Sequence, residues 1–431
     1  MSNGHAHTSA ALSVHHVGGR DGSRTFPIIP QFEGDIINVI YDADADCVGQ
    51  IRQRNEPLAS RCLVLPYCLG GTTGSAEFKI NFDPYTSSLL EACSKYGEFC
   101  TFHQGTDYIL GESLKPMERR SVDTITFDDL FRGDRIAAPP PDFLSLDTQG
   151  SEYEILCGAK ELLDDSIVAV SAEVEFQPIY QGQKLFGDVS SLLTEHGFHF
   201  IDFLTEGPAR FSPIRLPVGL RSKGFLISSN ALFLRKADVL AQDPDVSRRR
   251  RKLCKVAFFS IVFGQFEYGI DCLQRASLAE WGGSAVDELS VRSYYRFLLE
   301  LSSIISDARL SCPPTFAAKK TFQASRSRFE TTGTQSSLLA RFKEALRRRP
   351  VLWNLARLAH DRTAPVRLAA TRMLRVDKRL RLSAPDYPLW GYSRVESLLV
   401  RYGLRQPARE LRASRRVQEL HTVGTSNQST T

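Results

Sequence analysis

Asp142-Phe143-Leu144-Ser145-Leu146-Asp147 and Val168-Ala169-Val170-Ser171-Ala172-Glu173 are two short apolar runs that each end in a carboxylate. In an open α/β sheet, ligands bind beyond the carboxyl ends of the strands, so a carboxylate there points into the ligand crevice. Two on successive strands point to one site, and Asp147 and Glu173 are the catalytic candidates. Glu173 and Glu175 share a strand face at period two, with Val174 opposite. Neighbouring carboxylates repel unless one is paired or protonated, a situation commoner in sites than in cores. A carboxylate so placed can take the proton of a reacting hydroxyl. The competing structural role for Asp147 is a helix N-cap ahead of Glu152.

Such carboxylates need a sheet to hold them. Leu12-Ser13-Val14 reads as a first strand that runs into the turn Gly18-Gly19-Arg20-Asp21-Gly22. Glycines let the backbone approach a ligand closely, so Gly18 and Gly22 are cofactor-binding candidates. A second strand, Ile36 to Tyr41, ends in Asp42, a carboxylate suited to accept both hydroxyls of a ribose. A helix from Cys47 to Asn55, a third strand from Cys62 to Tyr67, a glycine turn and a strand from Ala76 to Ile80 follow. Residues 90 to 120 read as an irregular loop or lid. A helix from Glu152 to Leu163, one from Gly187 to His196, a strand from Phe198 to Phe203, and two last strands, Gly224 to Ile227 and Ala231 to Leu234, complete the pattern. Strands alternating with helices predict a doubly wound, mostly parallel sheet covered on both faces.

The sequence Asp147-Thr148-Gln149-Gly150-Ser151-Glu152, with Glu154 to Ala159 opening the next helix, resembles the FkbM family of S-adenosylmethionine-dependent methyltransferases. Val122 to Leu130, the pair Ser87-Ser88, the stretch Glu173 to Gln183 and His196-Gly197-Phe198 continue the resemblance, which spans roughly residues 12 to 235. The resemblance implies a Rossmann-like class I methyltransferase fold, S-adenosyl-L-methionine as cofactor, and Ser88 and Asp147 beside it. It also implies methylation of a hydroxyl on a small molecule, sugar, glycan or other secondary metabolite. Glu175, Tyr180 and Gln183, at the end of the fifth strand and in the loop after it, are the substrate-contact candidates. His103 or His196 would serve as base if folded into the cleft. Where that family places acids, after the first and third strands, this chain has His16 and Cys68. Those two positions support an alternative, a degenerate fold that acts as a binding or scaffold module.

No Ser-His-Asp order, phosphate loop with lysine or His-Glu-x-x-His helix is present, and no residue is assigned to a metal. The 9 cysteines include no Cys-x-x-Cys pair and read as reduced thiols, which with the absence of an apolar leader points to the cytoplasm.

The second half differs in character. Four consecutive arginines, Arg248 to Arg251, lead into a helix expected from Lys252 to Ala276, and Glu288 to Ala308 has helical spacing. Residues 236–312 therefore read as a helical accessory region that covers the first domain or forms a homodimer. Residues 313–337 read as a linker, 338–421 as basic helices and 422–431 as a disordered tail. From Lys319 to Leu420 there are 24 Lys and Arg against 8 Asp and Glu, although the whole chain carries only +5. Such a segment fits an anionic membrane surface or an acidic partner, and no recognised RNA-binding motif is interleaved with it.

Overall fold

The computed structural model describes residues 11–18, 26–55, 61–96, 100–102, 107–133, 135–204, 209–213, 223–277, 292–307 and 390–412. The expected linker at 313–337, the basic helices before residue 390, and the tail at 422–431 lie outside these residues, as do Gly22 and His103.

Five strands form a parallel core. They are β1 (Leu12–Val17), β2 (Ile36–Tyr41), β3 (Cys62–Leu65), β9 (Phe143–Leu146) and β10 (Ala169–Glu175), ordered β3-β2-β1-β9-β10. All six residues of β1 are buried, as parallel strands covered on both faces require. That burial includes His15, whose ring is satisfied by Ser13 Oγ at 2.8 Å and Tyr41 Oη at 2.9 Å. Burial pushes the imidazole down to about 3, so it is neutral.

Beyond β10 the sheet turns antiparallel. β13 (Phe225–Arg235) pairs with β10 along its length, and with β11 (Phe198–Phe203) and β12 (Ala209–Ser212) on its other side. β13 is one strand where two were expected, because Ser228, Ser229 and Asn230 continue the ladder opposite Glu175, Val174 and Glu173. Polar residues in an antiparallel ladder keep their backbone pairing even though they break the apolar run.

Residues 90–120 are more ordered than expected. They contain β6 (Cys100–Phe102), β7 (Asp107–Ile109), a short helix Leu110–Ser113 and the first half of β8 (Pro116–Ile125). β8 pairs with β5 (Gly74–Asn81) and β4 (Cys68–Leu69) in a separate three-stranded sheet. Most of its residues are exposed or half-buried, so no apolar alternation marks it in the sequence.

Helices cover both faces of the main sheet. On one lie Phe127–Arg132, Glu152–Cys157, Lys160–Asp165 and Phe186–Glu195, which supply Phe127, Leu130, Ile155, Leu156, Leu163 and Leu193 to the core. The single helix expected from Glu152 to Leu163 is two, broken at Gly158. A Cβ there would meet Gly70 O at 2.5 Å, so the strand-loop backbone packs where a side chain would stand. On the other face Val246–Val262 presents Phe258 and Phe259 to Phe26 and Phe143. Its first turn is capped by Asp245, which accepts from Ser247 N and Arg248 N. The helix expected from Lys252 to Ala276 is likewise two, Val246–Val262 and Phe266–Ala276, separated at Gly264 with φ +79°.

The chain divides into two compact units, residues 1–303 with 397–408, and residues 304–396 with 409–431. In the second, Arg412 Nε donates to Glu396 Oε1 at 2.6 Å. Among the described residues no helix is long and apolar enough to cross a membrane.

Candidate active site

The ends of β1, β2 and β9 are tied together backbone to backbone. Gly18 N donates to Tyr41 O at 3.1 Å, and Asp147 N donates to Val17 O at 3.0 Å. Gly18 has φ +85°, and a Cβ on it would lie 1.8 Å from Asp147 O, so only glycine fits between the strand ends. Beyond them opens a cleft with about 890 Å³ of empty space. Gly18, Asp42, Asp147 and Thr148 form its floor, and Tyr67, Cys68 and Leu69 flank it. Phe78, Tyr85, Ser87 and Leu89, on and after β5, form the opposite wall.

Asp42 is buried, and its Oδ1 accepts from Asp44 N at 2.8 Å, which fixes the carboxylate at the end of β2. Burial, with a further push from Asp42, raises the Cys68 thiol to about 11, so it is an uncharged wall. His16 does not occupy the cleft: it lies within β1, buried and opposite Ile40 and Ser145, and the strand continues to Val17.

Behind Asp147 lies a cluster of carboxyl groups joined by amides. Gln149 adopts φ +57°, unusual for a residue with a side chain. From there its Nε2 donates to Asp147 Oδ1 at 2.9 Å and to Glu173 Oε2 at 2.8 Å. Its carbonyl accepts from Ser88 Oγ at 2.7 Å. Glu152 is buried and holds the same turn from below, accepting from Thr148 N, Thr148 Oγ1 and Gly150 N. Burial pushes its carboxyl up to about 7, because loss of water outweighs those three donors. Burial, then the charge of Asp147, raises Glu173 well above the usual carboxylate range. Burial, then Glu152, does the same for Glu175. Three neighbouring carboxyl groups, Glu152, Glu173 and Glu175, are thus all held above the usual carboxylate range.

Gly18, Asp42 and Asp147 therefore meet in one cleft, and Glu173 reaches it through Gln149. Ser87 lines the cleft, whereas Ser88 sits behind it and pins Gln149. Glu175, Tyr180 and Gln183 are buried and do not line the cleft. Tyr180 donates its hydroxyl to Thr86 O at 2.7 Å, and Gln183 Oε1 accepts from Ile179 N and Tyr180 N. His196 is elsewhere, with Nδ1 2.8 Å from Asp164 Oδ1. Gln149 and Glu152 are the site residues that sequence reasoning missed. The turn residue Gly150 beside Gln149 was the available signal, and Glu152 was legible only as a helix opener.

Residues 41–200 match the family model of the methyltransferase FkbM domain. Over that stretch the chain is similar to FkbM methyltransferase domains. A solved structure described as methyltransferase FkbM from Methylobacillus flagellatus KT is similar at 14% identity and a TM-score of 0.30. That similarity covers 52% of this chain and 44% of that one, so the chain spans less than half of its length. No curated protein matches the chain. The matched stretch begins at the end of β2 and includes Asp42, Asp147, Gln149, Glu173 and Tyr180. Among the described residues, no group of three or more His, Cys, Asp or Glu is arranged to hold a metal ion.

Proposed function

We propose that the protein is an S-adenosylmethionine-dependent methyltransferase acting on a hydroxyl of a sugar, glycan or other secondary metabolite. The observation that carries this reading is the convergence of Gly18, Asp42 and Asp147 on one cleft at the strand ends of an FkbM-like domain.

The residues fit the cofactor by their chemistry. The Asp42 carboxylate is an acceptor for the ribose hydroxyls, Tyr67, Leu69, Phe78 and Leu89 offer apolar surface to an adenine, and Asp147 supplies negative charge to an amino group or sulfonium. The bound cofactor supplies an electrophilic methyl group. The chain's own work is to hold the acceptor oxygen about 3 Å from that carbon and to take its proton. Asp147, which lines the cleft, is the base in this reading and orients the acceptor hydroxyl or the cofactor. Glu173 stands behind it, and the Gln149 amide bonded to both fixes their orientation.

Isothermal titration with S-adenosylmethionine and S-adenosylhomocysteine, on wild type and Asp42→Ala, tests the reading. Saturable binding that the variant loses supports it and opens an acceptor screen. No binding by folded wild type transfers the assignment to a scaffold role.

A further inference from the structure

A second cavity lies at the opposite end of the same sheet. It is lined by Ala11 and Ser13 at the start of β1, Asp142 just before β9, and Asp165 and Ser166 ahead of β10. These are the amino ends of the parallel strands, whereas the candidate active site is at their carboxyl ends. The remaining wall is one face of the helix Val246–Val262, and its empty volume is about 730 Å³.

That face carries Arg248, Arg251, Lys252 and Lys255. Their spacing, three and four apart, places all four on one stripe of the helix. Like charges at this spacing repel, so the stripe costs stability unless an anion faces it. Two carboxylates only partly do so. Lys255 Nζ meets Asp142 Oδ1 at 2.7 Å, and Arg248 is held by Asp243 at 2.7 Å and stands 3.5 Å from Asp165. Lys252 is 3.7 Å from Asp165, and burial pulls its ammonium below the ordinary lysine value. Arg251 has no hydrogen bond or ion pair among the described residues. Arg248 is answered by Asp243, so Arg251, Lys252 and Lys255 against Asp142 and Asp165 leave one uncompensated positive charge, at Arg251.

We propose that this rear cavity binds a phosphate-bearing dianion, held by Arg251 and Lys252. A tetrahedral dianion brings several acceptor oxygens to the guanidinium and ammonium donors of that stripe.

The test is isothermal titration of the full chain, at fixed ionic strength, with inorganic phosphate, pyrophosphate, a sugar phosphomonoester and sulfate. We expect one saturable site for a phosphate-bearing dianion, weakened about tenfold or more in the double variant Arg251→Gln/Lys252→Gln and unchanged in the control Arg405→Gln. Stronger binding of inorganic phosphate identifies free phosphate as the ligand, and stronger binding of the monoester identifies a phosphorylated metabolite. Absence of saturable binding by wild type overturns the proposal, as does equal binding by the double variant or equal loss in Arg405→Gln. Circular dichroism and an unchanged thermal midpoint show that the double variant is folded.

Discussion

Gln149 and Glu173 are joined by a 2.8 Å hydrogen bond from an amide in left-handed backbone geometry to a carboxyl at the end of a central strand. The same amide reaches Asp147 at 2.9 Å, so one neutral side chain bridges a carboxyl group that lines the cleft and one that stands behind it. Replacing Gln149 with Ala removes both bonds. The expected result is a fall in methyl-transfer rate of about ten- to a hundredfold, with cofactor affinity changed far less. Gln149→Gly relieves the backbone strain but restores neither bond, and it should match Ala in rate while exceeding it in thermal midpoint.

Glu173 provides a pH signature. Its carboxyl is raised by burial and by Asp147, so the charge it places behind Asp147 grows only as pH rises above the usual carboxylate range. The rate is therefore expected to climb with pH over that window. Glu173→Gln should abolish the climb and lower the rate throughout, as read from initial rates across a buffer series.

Glu152 links the same cluster to stability. Its folded value near 7 lies above the ordinary 4.5, so the folded protein holds a proton that the unfolded chain has released. Its contribution is fully present below about pH 4.5 and is lost as pH rises through 7, on the order of 3 kcal/mol. Glu152→Gln is expected to be less stable at acidic pH, because the Thr148 and Gly150 donors face an amide. Its urea midpoint should fall less steeply than wild type between pH 5 and 8.

Gly18→Ala tests the weld between the strand ends. A Cβ 1.8 Å from Asp147 O at φ +85° forces the strands apart, with an expected loss of about 2 kcal/mol or more in denaturant unfolding. Gly74→Ala, where a Cβ meets nothing within 4 Å, should stay close to wild type.

Much of this fold was legible as apolar runs ending in acids. β2 and the strand at Phe198 coincide with the reading, as does the placement of Asp42 and Asp147. What the sequence concealed had physical causes. β8 is a polar strand in a sheet with solvent on it, so its residues carry no alternation, and Gly158 breaks a helix for the sake of a contact with Gly70 that is distant in sequence. Tyr180 and Gln183 sit in the right loop, yet they face the backbone of Thr86 and Ile179 rather than the cleft. Loop polarity reveals a need for hydrogen bonds but not their direction.

The two walls of the cleft have different origins. The floor comes from strand ends locked in the main sheet, and the facing wall, with Phe78, Tyr85 and Leu89, comes from the small sheet of β4, β5 and β8. Floor and wall are thus supplied by two different sheets and are separately exchangeable. Transplanting residues 74–89 together with 116–125 into another protein of this architecture would move that wall as a cassette, leaving the floor as it was.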